Sequence, residues 1–394
     1  MAEPVRSLYI HVPFCAAKCS YCAFFSEPTN GQLINRYVSS LILEMELVAA
    51  DLAPNTIFFG GGTPSLLNLQ QWEKILAAME RLRLIGAAEW TVECNPATVS
   101  LDKARLLRNA GVNRISMGVQ SLDEALLDRL GRIHTRDMVF RSFDTLRNAG
   151  FDNINVDLMF AIPGQTMTIW KETLAEALAL ESEHLSCYEV IYEQDTPLYD
   201  QMQAGQFDVD EDVACDMYET LVEKAREAGF TRYEIANFAR KGEKKCQSAG
   251  ILESLDPQVP GSACRHNVNY WRGGDFYGLG PSATGYVRGV RTRNWANTQI
   301  YCEQLERGKR PIESSEELPP LRRAGETAGF GLRMDAGWPL ADFRRITGFE
   351  LTNEWHTEIS KLSEQGWAEL KPDRFQLTPV GLRFADTAAE MFLR

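Results

Sequence analysis

Three observations predict an α/β fold on a parallel sheet, followed by a smaller C-terminal unit. Up to about residue 235, short β-rich runs alternate with amphipathic stretches at helical period. Several of those runs are apolar at nearly consecutive positions, as strands buried on both faces should be. From about residue 312 the order changes to helical patterns followed by one hairpin. Strand–helix alternation repeated this often implies a parallel sheet, open or closed into a barrel.

The expected strands are SLYIHV (7–12), NTIFFG (55–60), EWTVEC (89–94), NRISMGV (113–119), NINVDLM (153–159), LSCYEVI (185–191) and TRYEIA (231–236). Helical patterns such as INRYVSSLILEMELVAADL and LQQWEKILAAMERLRL separate them. Residues 240–263 are rich in Lys, Gly, Ser and Pro without an aromatic residue, and read as an exposed loop. Residues 264–300 are dense in Gly and aromatics, which suits a site or a domain junction. After two helical patterns, WAELKPDRFQLT predicts a hairpin turning at Pro372-Asp373. The chain thus divides into a sheet region at 1–236, a loop and linker at 237–311, and a C-terminal winged-helix-like α+β unit at 312–394.

With 394 residues, 44% of them hydrophobic, the chain can bury a large core. Its net charge of −13 argues against non-specific nucleic-acid binding, because an acidic surface repels phosphates. No apolar run approaches the ~20 residues of a membrane helix. The N-terminal MAEPVRSLYIHVPF lacks the pattern of a secretory signal. Both absences lead us to expect a cytoplasmic protein. Nine cysteines, three of them within eight positions, fit metal binding in a reducing compartment better than disulfides.

Those three are Cys15, Cys19 and Cys22, in the loop directly after the first strand. Loops at the carboxyl ends of parallel barrel strands build active sites. A structural zinc ion takes four protein ligands, so three thiolates would need completion by His11 or a distant cysteine. An iron–sulfur cluster can instead take three thiolates and leave one iron free for another ligand. Other strand ends are also unusual. FFGGGTPS (58–65) closes the second strand in three glycines, where backbone can approach a ligand closely. Glu93, Gln120 and Asp157 end further strands, and polar groups placed in apolar strand patterns are costly unless paired.

C-x3-C-x2-C with Tyr21 before its last cysteine resembles the signature of radical S-adenosylmethionine (SAM) enzymes. In that family the methionyl amine and carboxylate chelate the unique iron of a 4Fe–4S cluster, and one-electron reduction cleaves SAM to a 5′-deoxyadenosyl radical. YIHVPFCAAKCSYCAF, GGGTPS, VECNP, RISMGVQS, LGRIHT and INVDLMFAIPGQT occur in order between residues 9 and 166. Together they resemble the coproporphyrinogen-dehydrogenase-like group, which includes heme chaperones. The resemblance implies an incomplete (β/α)6 barrel with a small C-terminal domain. It also implies that Cys15, Cys19 and Cys22 hold the cluster. Tyr9, Tyr21, Gly61, Gly62, Thr63, Glu93, Gln120, Arg132 and Asp157 would line the SAM site. Arg132 would pair with the cofactor's carboxylate, and Glu93 and Asp157 suit its amine and ribose hydroxyls.

Two branches of the group differ in class. The oxygen-independent dehydrogenases decarboxylate two propionates of coproporphyrinogen III. They usually carry a fourth cysteine two residues past the third and a longer arm before the first. Here that position is Phe24, and Cys15 lies near the start of the chain. HNVNYW (266–271) resembles an HNxxYW segment of the chaperone branch. A neutral imidazole suits heme iron and flanking aromatics suit a flat macrocycle, which makes His266 the candidate ligand and Tyr270 and Trp271 its pocket. A core histidine packed among aromatics is the competing reading.

The resemblance therefore implies a protein that binds heme and transfers it to apo-hemoprotein acceptors, with a SAM-ligated cluster gating the transfer. The alternatives are the dehydrogenase itself, in porphyrin biosynthesis, and a radical SAM enzyme acting on heme. The chain departs from the group by about two dozen extra residues before CRHN, which add Cys246 beside Cys264 and read as a surface loop. Cys94, Cys187, Cys215 and Cys302 are expected to pack as small hydrophobes.

Overall fold

The computed structural model describes residues 3–241 and 258–394. Most of the expected loop at 240–263, with Cys246, lies outside them. Six strands run parallel in chain order: β1 (Val5–Val12), β2 (Leu52–Gly61), β3 (Glu89–Cys94), β4 (Arg114–Gln120), β5 (Ile154–Phe160) and β6 (His184–Glu189). Helices α1 (Gly31–Val48), α2 (Leu69–Arg81), α3 (Leu101–Ala110), α4 (Arg136–Asn148) and α5 (Met167–Ala179) form the crossovers, and α6 (Glu211–Glu227) follows β6. Parallel neighbours require such connections. The helices begin where the sequence supplies a cap. Asn30, Asn68, Ser100, Thr135, Thr166 and Asp210 each accept a backbone N–H of the first turn, which would otherwise lack a partner. This is the incomplete six-unit barrel.

TRYEIA does form a strand, β7 (Phe230–Glu234), but it does not extend the parallel run. The chain turns back through Ile235 and Ala236 into β8 (Asn237–Arg240), which lies antiparallel between β7 and β6. A link this short permits only a hairpin. At the other edge, β9 (Tyr277–Leu279) pairs parallel with β1. The stretch expected as loop and linker therefore contributes a strand near each end of the sheet. It also supplies α7 (Arg265–Trp271), which carries HNVNYW, and α8 (Thr298–Glu306), which packs on α1.

The strands are buried on both faces, as expected, but the two faces differ in chemistry. Trp90, Val92, Ile115, Met117, Ile154, Val156 and Leu185 pack outward in one large apolar core beneath the helices. The alternate residues Glu89, Thr91, Arg114, Ser116, Asn155, His184 and Ser186 are also buried, and they face the lumen. Period two inside a parallel barrel thus separates an apolar jacket from a polar interior.

A second apolar cluster, with Trp338, Phe343, Trp355 and Phe392, forms the C-terminal unit. Its helices, α9 (Pro320–Gly331) first, are followed by the expected hairpin, Ala368–Leu370 with Arg374–Leu377, which Trp338–Pro339 extends to three strands. Among the described residues no helix is long and apolar enough to cross a membrane.

Glu44, fully buried on α1, ties the region after β9 to the barrel. It accepts from Gly280 N at 2.8 Å, Tyr301 Oη at 2.7 Å and Asn294 Nδ2 at 2.7 Å. Glu44→Ala leaves the Gly280 and Tyr301 donors without this acceptor in a closed core. Urea unfolding is expected to show a loss on the order of 3 kcal/mol, since each unsatisfied buried group costs about 1–3 kcal/mol.

Candidate functional site

The cysteine loop is pinned by backbone rather than by its own side chains. Gly62 N donates to Val12 O and Thr63 N to Phe14 O, both at 2.8 Å, and these bonds bind the end of β2 to the start of the loop. Ser20 N donates to Leu130 O at 2.9 Å, and Ser20 O accepts from Leu198 N at 2.9 Å. Gly62 has no substitute here, because a Cβ would lie 2.7 Å from Phe14 O and 2.8 Å from Val12 O. Gly61 adopts φ +104°, and a Cβ there would lie 2.5 Å from the His11 ring. The triple glycine of the sequence therefore serves close packing of β2 against the loop.

The loop and the carboxyl ends of the strands enclose a cavity of about 540 Å³, within the range of small-molecule sites. Cys15, Cys19 and Cys22 line it together with Tyr21, Gly61, Gly62, Thr63, Glu93, Gln120, Arg132 and Asp157. Eight of the nine residues expected around SAM thus share one space. Tyr9 does not. Its hydroxyl meets His11 Nδ1 at 3.0 Å and its ring lies beside Phe58, behind the cavity wall. Cys94, expected as a small hydrophobe, is buried but also lines the cavity; Cys187 and Cys302 are buried and Cys215 is half-buried.

Two thiols have polar neighbours. Arg132 Nη1 lies 3.4 Å from Cys19 Sγ, and Thr63 Oγ1 lies 3.6 Å from Cys15 Sγ. Burial raises the Cys22 thiol. Gln120 sits at φ +68°, a rare conformation for a residue with a side chain. Its amide lies beside Gly118 and the Arg132 guanidinium. Burial, followed by the charge of Asp157, raises the Glu93 carboxyl to about 8, against a bond from Gly61 N at 3.2 Å. Asp157 is raised by burial and held down chiefly by its bond from Asn155.

This donor set fits a cluster bearing an amino-acid ligand. The three thiols open to the same space, and two carboxyls can accept the N–H groups of a bound amine. The Arg132 Nε has no hydrogen-bond partner among the described residues, leaving a buried donor for a carboxylate.

HNVNYW lies elsewhere. α7 packs against β2 and α9, and its first turn meets Glu89, the first residue of β3. Four residues of strand separate Glu89 from Glu93, about 13 Å along the barrel. His266 is 1% exposed and both its nitrogens are engaged, Nδ1 with Thr56 Oγ1 at 2.9 Å and Nε2 with Tyr270 Oη at 2.7 Å. Phe58 stacks on it at 5.4 Å, and burial lowers its imidazole to about 3. The expected open pocket formed by His266, Tyr270 and Trp271 is therefore closed: Tyr270 occupies the ligating nitrogen, and the Arg333 guanidinium covers the Trp271 ring at 5.0 Å.

Sequence reasoning missed the lumen groups beneath the cavity, Arg114, Asn155 and His184. Their signal was present as polar residues alternating with apolar ones in RIS, INVD and HLS. It also missed the apolar rim, where Phe24, Ile133, Tyr188 and Ile191 line the cavity mouth and remain exposed.

The model of the radical SAM superfamily matches residues 9–177. The heme chaperone HemW of Lactococcus lactis subsp. lactis is 33% identical over 395 residues, covering 100% of this chain and 98% of that protein. HemW of Bacillus subtilis is also 33% identical, with 99% of each chain covered. This chain belongs to the HemW family. A solved structure described as coproporphyrinogen III oxidase (HemN) from Escherichia coli, a radical SAM enzyme, shares the fold at a TM-score of 0.81 and 19% identity. The match covers 99% of this chain and 90% of that one. Radical SAM membership implies a 4Fe–4S cluster and SAM for this HemW-family chain.

If the three loop thiols hold the cluster, losing one leaves a second iron without its ligand. Cys19→Ser is expected to abolish the iron–sulfur absorption after anaerobic reconstitution. Unchanged iron and sulfide content would refute the ligand set.

Proposed function

We propose that this chain is a heme chaperone that binds heme and passes it to apo-hemoprotein acceptors. In this reading Cys15, Cys19 and Cys22 hold a 4Fe–4S cluster completed by SAM. The observation that carries the proposal is the end-to-end likeness to HemW proteins at 33% identity. Phe24 supports it: this exposed residue at the cavity mouth stands where the dehydrogenase branch usually has its fourth cysteine.

When bound, the cluster and SAM would supply one-electron chemistry. The residues of this chain orient that assembly. Arg132 offers the SAM carboxylate a guanidinium, and Glu93 and Asp157 offer anionic oxygens to its amine and ribose. Gly61, Gly62 and Thr63 present backbone at close range, and Gln120 and Tyr21 close the sides. For heme, His266 remains the candidate ligand. Its neutral imidazole can bind iron once Nε2 is released from Tyr270; both residues lie on α7, so the release requires a rotation of the Tyr270 side chain and not a shift of the helix.

The deciding experiment is anaerobic. The reconstituted protein with SAM and reductant is expected to transfer heme to an apo-acceptor and to release no carbon dioxide from coproporphyrinogen III. Conversion to protoporphyrinogen would replace the chaperone reading with the dehydrogenase. His266→Ala is expected to shift or abolish the heme Soret band; an identical spectrum and affinity would make His266 a core residue.

The raised Glu93 carboxyl adds a pH dependence. Below about 8 the free protein holds a proton there, against an ordinary value of 4.5. The fixed sulfonium charge of SAM, bound in the same cavity, favours the Glu93 anion, so SAM binding releases that proton. Affinity should rise with pH toward 8, by at most about tenfold per unit. Calorimetry in buffers of different ionisation enthalpy should detect proton release, and Glu93→Gln should lower it by about one proton below pH 8.

A further inference from the structure

We propose that His184 is a positioning residue that couples the SAM cavity to α7 through a single directed chain of buried hydrogen bonds. The proposal deepens the heme-transfer reading and rests on it only for its consequence, that the state of the cavity reaches the helix carrying His266.

The chain begins at Asp157 on the cavity floor. Asn155 Nδ2 donates to Asp157 Oδ1 at 2.7 Å and to Ser116 Oγ at 2.7 Å, while Ser116 Oγ donates to Asp157 Oδ2 at 3.1 Å. A carboxylate cannot donate, so the amide nitrogen of Asn155 must face it. The Asn155 oxygen therefore faces the other way, toward His184 Nδ1 at 2.6 Å and Ser186 Oγ at 3.1 Å. An oxygen acceptor assigns the proton of His184 to Nδ1.

Burial, aided by the nearby Arg114 charge, keeps His184 neutral. Its Nε2 is then bare and accepts from Tyr233 Oη at 2.9 Å. Tyr233 Oη in turn accepts the backbone N–H of Cys264 at 3.2 Å. Cys264 immediately precedes α7, and Glu89 takes the next two amides, Arg265 N at 2.9 Å and His266 N at 3.0 Å.

From Cys264 to Asp157 every donor points the same way, toward the cavity. Asn155, His184, Tyr233 and Cys264 are each at most 2% exposed, so no solvent can substitute for a broken link. In such a setting each bond polarises the next. A cationic or hydroxyl group arriving at Asp157 competes for its oxygens with Asn155, and the change has a continuous hydrogen-bonded route to the first turn of α7, beside the field of Arg114, which reaches both ends. Contiguity alone does not demonstrate coupling, so the test measures the coupling itself.

The full-length protein with its reconstituted cluster is compared with and without SAM by hydrogen–deuterium exchange. In the wild type, SAM is expected to change exchange across 264–271 by about fivefold or more, the lower end of typical coupling. Tyr233→Phe keeps the ring and removes only the hydroxyl between His184 and Cys264. It is expected to abolish that change while leaving SAM affinity within a few-fold. His184→Gln can still donate toward Asn155 and accept from Tyr233, and is expected to restore part of the response, which a purely space-filling role would not do.

No SAM-dependent change in the wild type, or an undiminished one in Tyr233→Phe, overturns the proposal. If Tyr233→Phe does not fold, the wild type and His184→Leu decide on the same criteria. Heme is never added, so the two readings fail separately. A protein that transfers heme without the exchange response loses only this inference; one with the response but no transfer loses only the chaperone function.

Discussion

A polar group sealed inside a protein must find its partner inside the protein, and the interior of this barrel is organised by that constraint. The lumen holds Glu89, Arg114, Asn155, His184 and Glu234, all of which would be costly to bury alone. Most are tolerated because they are paired: Glu89 accepts the two amides at the start of α7, Asn155 and His184 bond each other across β5 and β6, and Glu234 on β7 accepts from Ala236 N and Asn237 Nδ2. Asn155 is the hub: its amide serves Asp157 and Ser116, and its oxygen serves His184 and Ser186. The apolar jacket outside can then pack against the helices without carrying any functional group.

The same constraint separates motif residues that a ligand can reach from those it cannot. Tyr9, His11 and His266 belong to recognisable motifs, yet their polar atoms are satisfied internally, by one another, by Phe25 O, by Thr56 and by Tyr270. Cys15, Cys19 and Cys22 line the open cavity, and Arg132 keeps a donor without a partner among the described residues. The carboxyl end of the barrel is therefore built to receive a group, and the opposite end is closed by α7. Glu89 holds that closure by taking the two amides at the start of α7.

Much of this was legible beforehand. Seven strands were readable from local runs, because a strand's apolar face is a local property of its sequence, and helix starts were marked by capping residues. The candidate cluster ligands were readable because Cys15, Cys19 and Cys22 stand close together in one loop, and the structure opens all three to one cavity. What could not be read was which runs pair. TRYEIA has the composition of a parallel strand, but its last two residues, Ile235 and Ala236, are the link of a hairpin. YGL, three residues long, carries no pattern of its own and becomes a strand only because β1 offers an unpaired edge.

By itself the sequence determined the alternating α/β architecture, the cysteine triad, the glycine turn after β2 and the acidic strand ends, since each is written in residues close together in the chain. Only the tertiary structure decided that eight distant positions surround one cavity, that Tyr9 lies outside it, and that His266 is closed. It also joined Asp157 to Cys264, 107 positions apart, through Asn155, His184 and Tyr233. The reason is physical: a hydrogen bond depends on distance and direction in space, and neither is encoded by spacing along a chain that crosses the barrel six times.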